Sequence, residues 1–222
     1  RELALISLAM ASALKLTPAV LGILLLYNKQ WKEAIRTVIY GLILGMVPFL
    51  FFHGGLVNIG RMFHNAALNV QAYSSTEGTT IVAALVAFGV NATDGMIKIV
   101  KCITYVIVLL LFIQCLFYKE KWEVIMAVSM VLIIAPSHSG YYCIMYLIPA
   151  AIAFLNAKEH SYSDLLILFS IILIVMDFQC DLFEYVLNYH LAIMLILAVL
   201  LIRGFVRMYD VIKHKSDNSM AK

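Results

Sequence analysis

The sequence predicts an all-α membrane protein, a polytopic bundle of about seven transmembrane helices with one external amphipathic helix and one short re-entrant helix. Hydrophobic residues make up 64% of the 222 residues, charged residues make up 13%, and the mean hydropathy is +0.95. Soluble domains average about 45–50% apolar and about 25% charged residues, so lipid must be the solvent for most of this chain. Helices are expected because in hydrocarbon each backbone N–H and C=O must be paired within its own segment.

The predicted spans follow from apolar runs, since about 20 helical residues cross the hydrocarbon core. Lys15 and Pro18 interrupt the first run, and the fourth is short and ends at Pro136. In order, the spans are residues 3–27, 34–52, 99–118, 122–136, 141–156, 163–178 and 185–203. They form one predicted membrane domain, residues 1–212, followed by a short polar tail, residues 213–222.

The long segment between the second and third spans contains two further predicted helices. Over residues 58–73, apolar side chains recur at spacings of three and four, which is typical of an amphipathic helix lying along the membrane surface. Arg61 and His64 lie on its polar part. Residues 80–90 are apolar but too short to cross, so they suit a re-entrant or half-buried helix.

Basic residues orient the bundle, because cytoplasmic loops of membrane proteins carry an excess of Lys and Arg. The basic loops alternate with pairs of spans, which places them all on one side and makes the C-terminal tail cytoplasmic. They contain Lys29, Lys32, Lys119, Lys121, Lys158, Arg203, Arg207, Lys213 and Lys215. The opposite, external side is poor in Lys and Arg, with Arg61, Lys98 and Lys101 as the exceptions.

Lys15 is the clearest ionisable residue at membrane depth, and such residues are functional candidates by default. It precedes Leu16-Thr17-Pro18, and proline disfavours helical geometry in the residue before it. The helix is therefore expected to break at Lys15. Two alternatives remain open: residues 3–27 form one kinked span, or they form a short hairpin with Lys15 at its external tip.

Two external turns carry further candidate residues. Glu77 lies in the polar turn that leads into residues 80–90, and Ser137, His138 and Tyr141 lie in the turn after Pro136. Hydroxyl, imidazole and carboxylate groups offer hydrogen bonds to a polar ligand, and aromatic faces suit a sugar ring. The four cysteines show no metal-ligand spacing, and no phosphate-binding glycine loop or hydrolase motif is present, so no metal or cofactor is predicted.

Two stretches of the chain resemble glycosyltransferase family 87, whose members are polytopic GT-C-fold enzymes that include polyprenol-phosphate-mannose-dependent mannosyltransferases. The first stretch is an apolar run with Lys15-x-x-Pro18, a second apolar run, and a basic loop with Trp31. The second is Ala135-Pro136-Ser137-His138-Ser139-x-Tyr141, followed by a helix that contains Pro149.

The resemblance implies an inverting transfer, on the external side, of a sugar such as mannose from a polyprenyl-phosphate donor. A departing lipid phosphate needs nearby positive charge, and Lys15, Arg61 and His64 are the expected donor phosphate-binding residues. Ser137, His138, Tyr141 and Glu77 are the expected sugar- or acceptor-binding residues. Because the chain starts at Arg1 inside an apolar run, we expect it to be the interior of a longer sequence, with the catalytic base upstream.

Two other classes of function fit the same features. Broken helices with a polar residue at membrane depth also suit half of a transporter or flippase, although no internal repeat of the spans is visible. A lipid-linked polysaccharide polymerase or ligase is the third possibility. The predicted partners are the lipid bilayer and a lipid-linked sugar donor, and a net charge of +3 gives no reason to expect nucleic acid.

Overall fold

The computed structural model describes residues 1–15, 17–72, 78–136, 141–175 and 188–220, with the side chains of 17, 66–72, 141–142 and 214–220 not included. Within these ranges every secondary-structure element is a helix, as predicted. The α-helices are α1 (Glu2–Leu14), α2 (Ile23–Tyr27), α3 (Trp31–Met46), α4 (Val57–Ala72), α5 (Ile81–Ala87), α6 (Asp94–Gln114), α7 (Lys121–Ile134), α8 (Leu147–Leu155), α9 (Asp164–Val175) and α10 (Asn188–Met220). Short 3-10 helices cover Thr17–Gly22, Val47–Phe51 and Tyr141–Tyr146.

In the part of the chain that the structure describes, three helical segments are long and apolar enough to cross a membrane. They are Trp31–Phe51, Asp94–Gln114 and Asn188–Lys213, which correspond to the predicted spans 34–52, 99–118 and 185–203. The count of about seven spans is not confirmed. The other apolar helices are shorter, and a 3-10 segment interrupts the predicted span 141–156 at its start.

The two predicted helices between the second and third spans are confirmed as helices. The amphipathic pattern over 58–73 corresponds to α4, which ends at Ala72. The apolar run over 80–90 contains α5, whose seven residues rise only about 10 Å. A helix of that length cannot cross the hydrocarbon core, which is about 30 Å thick.

The contacts divide the chain into two compact units, Arg1–Ser74 and Ser75–Lys222. The predicted single membrane domain over residues 1–212 stays a prediction.

In the first unit α1 and α3 pack side by side and run parallel. At their N-terminal ends a guanidinium nitrogen of Arg1 lies 3.3 Å from a carboxylate oxygen of Glu33. Arg36 donates a hydrogen bond of 2.7 Å to Glu2, to which the Tyr40 hydroxyl also donates over 3.2 Å. The first turn of α1 therefore lies beside the first turns of α3.

Further along the same two helices, a pair of glycines brings the backbones together. A Cβ atom on Gly41 would lie 3.9 Å from the Ala9 carbonyl oxygen, and one on Gly45 would lie 3.7 Å from the Ala13 Cβ atom. Helices in membranes use such small residues, spaced four apart, for close packing. The residue numbers differ by 32 in each of three contacts, which are Arg1 with Glu33, Ala9 with Gly41, and Ala13 with Gly45. Because the contacts advance in the same direction along both helices, the helices are parallel.

Parallel packing decides between the two alternatives for residues 3–27. After α1 the chain must return to its starting level before α3 begins, so the segment is a hairpin with Lys15 at its tip. The lengths agree with this conclusion. The 13 residues of α1 rise about 20 Å. The six residues of Thr17–Gly22 and the five of α2 together return about 20 Å.

The second unit is built around α7, which is buried on all sides. Its sequence is apolar at almost every position, and twelve of its side chains are buried, from Trp122 to Ile134. Helices α6, α8 and α10 pack against it, and α9 packs against α10. A helix that is apolar all round needs this kind of enclosure.

Buried polar groups join α6 to α10. The Gln114 side-chain amide donates a hydrogen bond of 3.1 Å to the Leu201 carbonyl, and the Tyr118 hydroxyl lies 2.9 Å from the Leu200 carbonyl. Gly204 makes room for this contact, because a Cβ atom there would overlap the Gln114 side chain. The polar pairing therefore depends on a glycine in the facing helix.

Candidate functional site

The predicted helix break at Lys15 is confirmed. Lys15 caps the C-terminus of α1 with an extended backbone, at φ −149° and ψ 122°, while its own N–H still donates to the Ala11 carbonyl over 3.0 Å. The 3-10 helix Thr17–Gly22, with Pro18 in its first turn, then starts the return of the chain. The Lys15 side chain is exposed at the tip of the hairpin.

The packing of α1 on α3 sets the level of Lys15 along the span Trp31–Phe51. Ala13 lies beside Gly45, which is fourteen residues and therefore about 21 Å beyond Trp31 along α3. The whole span, with its final 3-10 turn, is about 34 Å long. Lys15 follows Ala13 by two residues, so it lies roughly 10 Å from the Phe51 end of the span.

A tight turn connects that same end of the span to α4. Gly54 and Gly55 adopt φ values of 98° and 55°, which favour glycine. The Asn58 side-chain amide donates a hydrogen bond of 3.0 Å to the His53 carbonyl and closes the turn. The first residues of α4 therefore lie at the same end of the first unit as Lys15.

Arg61 and His64 lie on the first two turns of α4, and both side chains are exposed. A guanidinium nitrogen of Arg61 lies 3.4 Å from the Asn58 side-chain oxygen, a long and weak hydrogen bond. In the described part of the first unit, α4 forms no extensive packing with α1. Convergence of Lys15, Arg61 and His64 on one cavity stays a prediction, although the chain places all three at one end of the unit.

This end of the first unit is rich in basic side chains. Residues 1–72 contain only two carboxylates, Glu2 and Glu33, and both lie at the opposite end, where they pair with arginines. His53, exposed in the Gly54-Gly55 turn, adds a further imidazole to the end that carries Lys15. Sequence analysis missed His53, although its position directly after the second span and before two glycines was a usable signal.

The sugar- or acceptor-binding candidates are not tested by the structure. Glu77, Ser137 and His138 lie outside the described residues. Tyr141 is the first residue of the 3-10 helix Tyr141–Tyr146, and its side chain is also outside them. Their roles therefore stay predictions.

A second polar cluster, which sequence analysis missed, lies in the second unit. Arg203 on α10 forms ion pairs with Glu123 on α7, over 3.2 Å, and with Asp164 at the start of α9. The carboxylate side chains are only 1% and 5% exposed, so the interaction is desolvated. Along the chain Glu123 is 80 residues from Arg203, and Asp164 is 39 residues from it.

Hydroxyl groups and an aromatic ring complete the surroundings of Arg203. Its Nε atom donates to the Ser163 hydroxyl over 3.1 Å, and another guanidinium nitrogen donates to the Ser161 hydroxyl. Its guanidinium carbon lies 5.2 Å from the Trp122 ring centroid, within cation–π range. Because most of its donors are engaged, Arg203 is suited to holding helix ends together and unsuited to binding a substrate anion.

The Arg203 cluster also bears on the predicted topology. It joins the first turn of α7, the start of α9 and the middle of α10, close to three segments that the basic-residue pattern places on one side. The structure thus brings these three segments to one end of the second unit. Among the residues with described positions, no group of three His, Cys, Asp or Glu side chains is arranged to hold a metal ion.

A family model described as glycosyltransferase family 87 matches residues 3–137, which is more than half of the chain. The matched segment includes Lys15, α4, α5 and the start of the turn after Pro136. No curated protein and no solved structure matches the chain.

Proposed function

Because the chain belongs to glycosyltransferase family 87, we propose that it transfers a hexose such as mannose from a polyprenyl-phosphate donor on the extracytoplasmic side of a membrane. Membership makes the chain a glycosyltransferase, and its apolar helices indicate a membrane protein. The donor lipid, the sugar, the side of the membrane and the GT-C arrangement of the helices are parts of the proposal.

The observation that carries the proposal is the position of Lys15. A lysine at the tip of a hairpin, roughly 10 Å from the end of a span, places a positive charge at membrane depth, where ionisable residues are functional candidates. A polyprenyl-phosphate donor is anchored in the bilayer and would present its phosphate near the end of a span, whereas a water-soluble nucleotide sugar has no such anchor.

The chemistry of the transfer explains why cations are needed. An acceptor hydroxyl attacks the anomeric carbon, a base takes its proton, and the bond between that carbon and the phosphate oxygen breaks. The bonding electrons leave with the polyprenyl phosphate, whose negative charge increases by one unit. Lys15 would stabilise this developing charge as a point charge, and Arg61 would bind two phosphate oxygens at once.

The remaining roles follow the family resemblance. His64 would provide a further donor to the phosphate, while Glu77, Ser137, His138 and Tyr141 would bind the sugar or the acceptor. No observation favours the transporter over the enzyme, and the family match is to a family of transferases.

Transfer activity of a Lys15 variant tests the proposal. The full-length protein, reconstituted in proteoliposomes, is given polyprenyl-phosphate [14C]mannose and a lipid extract from its own membranes as acceptor. Lys15→Met should lower the rate at least tenfold, because a hydrogen bond to a charged group is worth about 1.5–3 kcal/mol. Lys15→Arg should retain part of the activity, since it keeps the charge.

Lys32→Met is the matched control, because Lys32 is exposed at the opposite end of the same unit. It should transfer mannose at close to the wild-type rate. Normal turnover by Lys15→Met, or an equal loss in both variants, would contradict the assignment of Lys15. Absence of transfer by the wild-type protein with this donor, while another sugar donor is used, would contradict the choice of mannose alone.

A further inference from the structure

Two lysines on α6 are not explained by the proposed function. Lys98 and Lys101 are exceptions to the scarcity of basic residues on the predicted external side, and they lie on a helix long enough to cross the membrane. Lys98 is exposed, and Lys101 is half-buried. Among the described residues neither lysine forms an ion pair, so their charges are uncompensated there.

Lys101 lines a shallow cleft in the second unit. The cleft lies between the start of α5, the middle of α6 and the end of α7, and its lining includes Thr80, Val82, Tyr105 and Pro136. Its enclosed volume is about 20 Å³, which corresponds to about one water molecule. A whole headgroup cannot enter, so a ligand would place a small apolar group inside and its polar group at the mouth.

The depth of Lys101 indicates the kind of ligand. The 21 residues of α6 span about 31 Å, which matches the hydrocarbon core. Lys101 is seven residues into the helix, about 10 Å from its start. At that depth an ammonium needs an anion or must extend toward the headgroups.

The surroundings of Lys101 face lipid and offer one further hydroxyl group. On the same helix Ile99, Ile103 and Val106 are more than half exposed, as expected of residues in contact with acyl chains. The Thr104 hydroxyl already donates a hydrogen bond of 2.8 Å to the Val100 carbonyl. Tyr105, at the edge of the cleft, is 57% exposed, so its ring and hydroxyl are accessible to a headgroup.

We infer that this cleft is a binding site for an anionic phospholipid of the surrounding bilayer, with the phosphate at Lys101 and an acyl segment against the apolar walls. The inference is independent of the proposed glycosyl transfer. The occupant follows from the charge of Lys101, the apolar lining, and the position at headgroup-accessible depth on a lipid-facing helix.

Lipid binding to the full-length protein tests the inference. Native mass spectrometry in detergent measures stepwise binding of phosphatidylglycerol, phosphatidylcholine and polyprenyl phosphate. The wild-type protein should bind phosphatidylglycerol more tightly than phosphatidylcholine. Lys101→Gln should weaken phosphatidylglycerol binding about fivefold, as expected for one lysine near an anionic surface, whereas Lys101→Arg should bind like the wild type.

Lys98→Gln is the matched control, since it removes the same charge one turn away and outside the cleft lining. It should change phosphatidylglycerol affinity less than twofold. Equal losses in both variants, or equal binding of the two phospholipids by the wild type, would overturn the inference. Stronger displacement by polyprenyl phosphate than by phosphatidylglycerol would also overturn it, because the cleft would then be a substrate site.

A measurement on the wild-type protein removes any dependence on folding of the variants. Phosphatidylglycerol should protect Lys101 from an amine-reactive reagent, as read by peptide mass spectrometry, and phosphatidylcholine should not. Equal modification of Lys101 in the two lipids would count against the inference.

Discussion

Replacement of Arg203 by glutamine should strongly destabilise the second unit. The substitution leaves two carboxylates, Glu123 and Asp164, buried without the guanidinium that they share, and their side chains are 1% and 5% exposed. Removing one partner of a buried ion pair typically costs about 3–5 kcal/mol, because the remaining charge is desolvated and unpaired. Loss of the contact between the guanidinium and the Trp122 ring adds to this effect.

The magnitude can be measured by thermal unfolding in detergent. For a chain of this size, about 3–5 kcal/mol corresponds to a decrease in Tm of roughly 6–20 °C. Arg207→Gln is the matched control, because Arg207 lies one turn further along α10 and forms no ion pair among the described residues. It should change the Tm by no more than about 2 °C.

A combined variant separates an electrostatic effect from a loss of packing. Arg203→Met together with Glu123→Gln and Asp164→Asn removes all three charges, so it should recover much of the stability that Arg203→Gln loses. Equal Tm values for Arg203→Gln and Arg207→Gln would refute the reasoning. A combined variant as unstable as Arg203→Gln would show that the charges of the carboxylates do not cause the effect.

Three further predictions concern packing and topology. In chemical denaturation, Gly204→Ala should lower the free energy of unfolding by about 1–3 kcal/mol, because its Cβ would overlap Gln114. The control Gly95→Ala should leave it unchanged, because the space around Gly95 is open. Gly45→Leu should separate α1 from α3 and so reduce disulfide crosslinking between cysteines placed at positions 9 and 41. Gly45→Ala should leave the crosslinking unchanged, because its Cβ would lie 3.7 Å from the Ala13 Cβ atom. Cysteines placed at Lys29, Lys119, Lys158 and Lys213 should all react with a membrane-impermeant reagent from one side of the membrane only. Labelling of any of these sites from the other side would contradict the topology.

Local features of the fold were predictable from sequence because their causes are local. The break at Lys15 follows from the nearby proline, and α4 follows from the spacing of apolar residues. The seven residues of α5 follow from the shortness of its apolar run. Each depends on residues within a few positions of one another, so no knowledge of the packing was needed.

Features that depend on which helices meet were not predictable in the same way. A kinked span and a hairpin satisfy the same apolar pattern over residues 3–27, and only the contacts of Gly41 and Gly45 with α1 decide between them. The number of spans was uncertain for the same reason, because apolar runs do not reveal where a 3-10 segment shortens a helix.

The Arg203 cluster shows the limit for polar residues. Arg203 ends a predicted span and was assigned to a cytoplasmic loop, although it is paired with two buried acids. Its partners Glu123 and Asp164 belong to local capping patterns at the starts of α7 and α9, which give no sign of a distant arginine. Partners that are 39 and 80 residues away along the chain can be paired only when the fold is known.

The most direct test of the central claim, that the Lys15 end of the first unit binds the donor phosphate, is a double-mutant cycle on polyprenyl phosphate binding. The affinity of the full-length protein in nanodiscs is measured for the wild type, Lys15→Met, Arg61→Met and the double variant. If both side chains bind one phosphate, each single variant should bind at least tenfold more weakly. The double variant should then lose less affinity than the two single losses combined. Wild-type affinity in both single variants, or losses no larger than that of Lys32→Met, would contradict the claim.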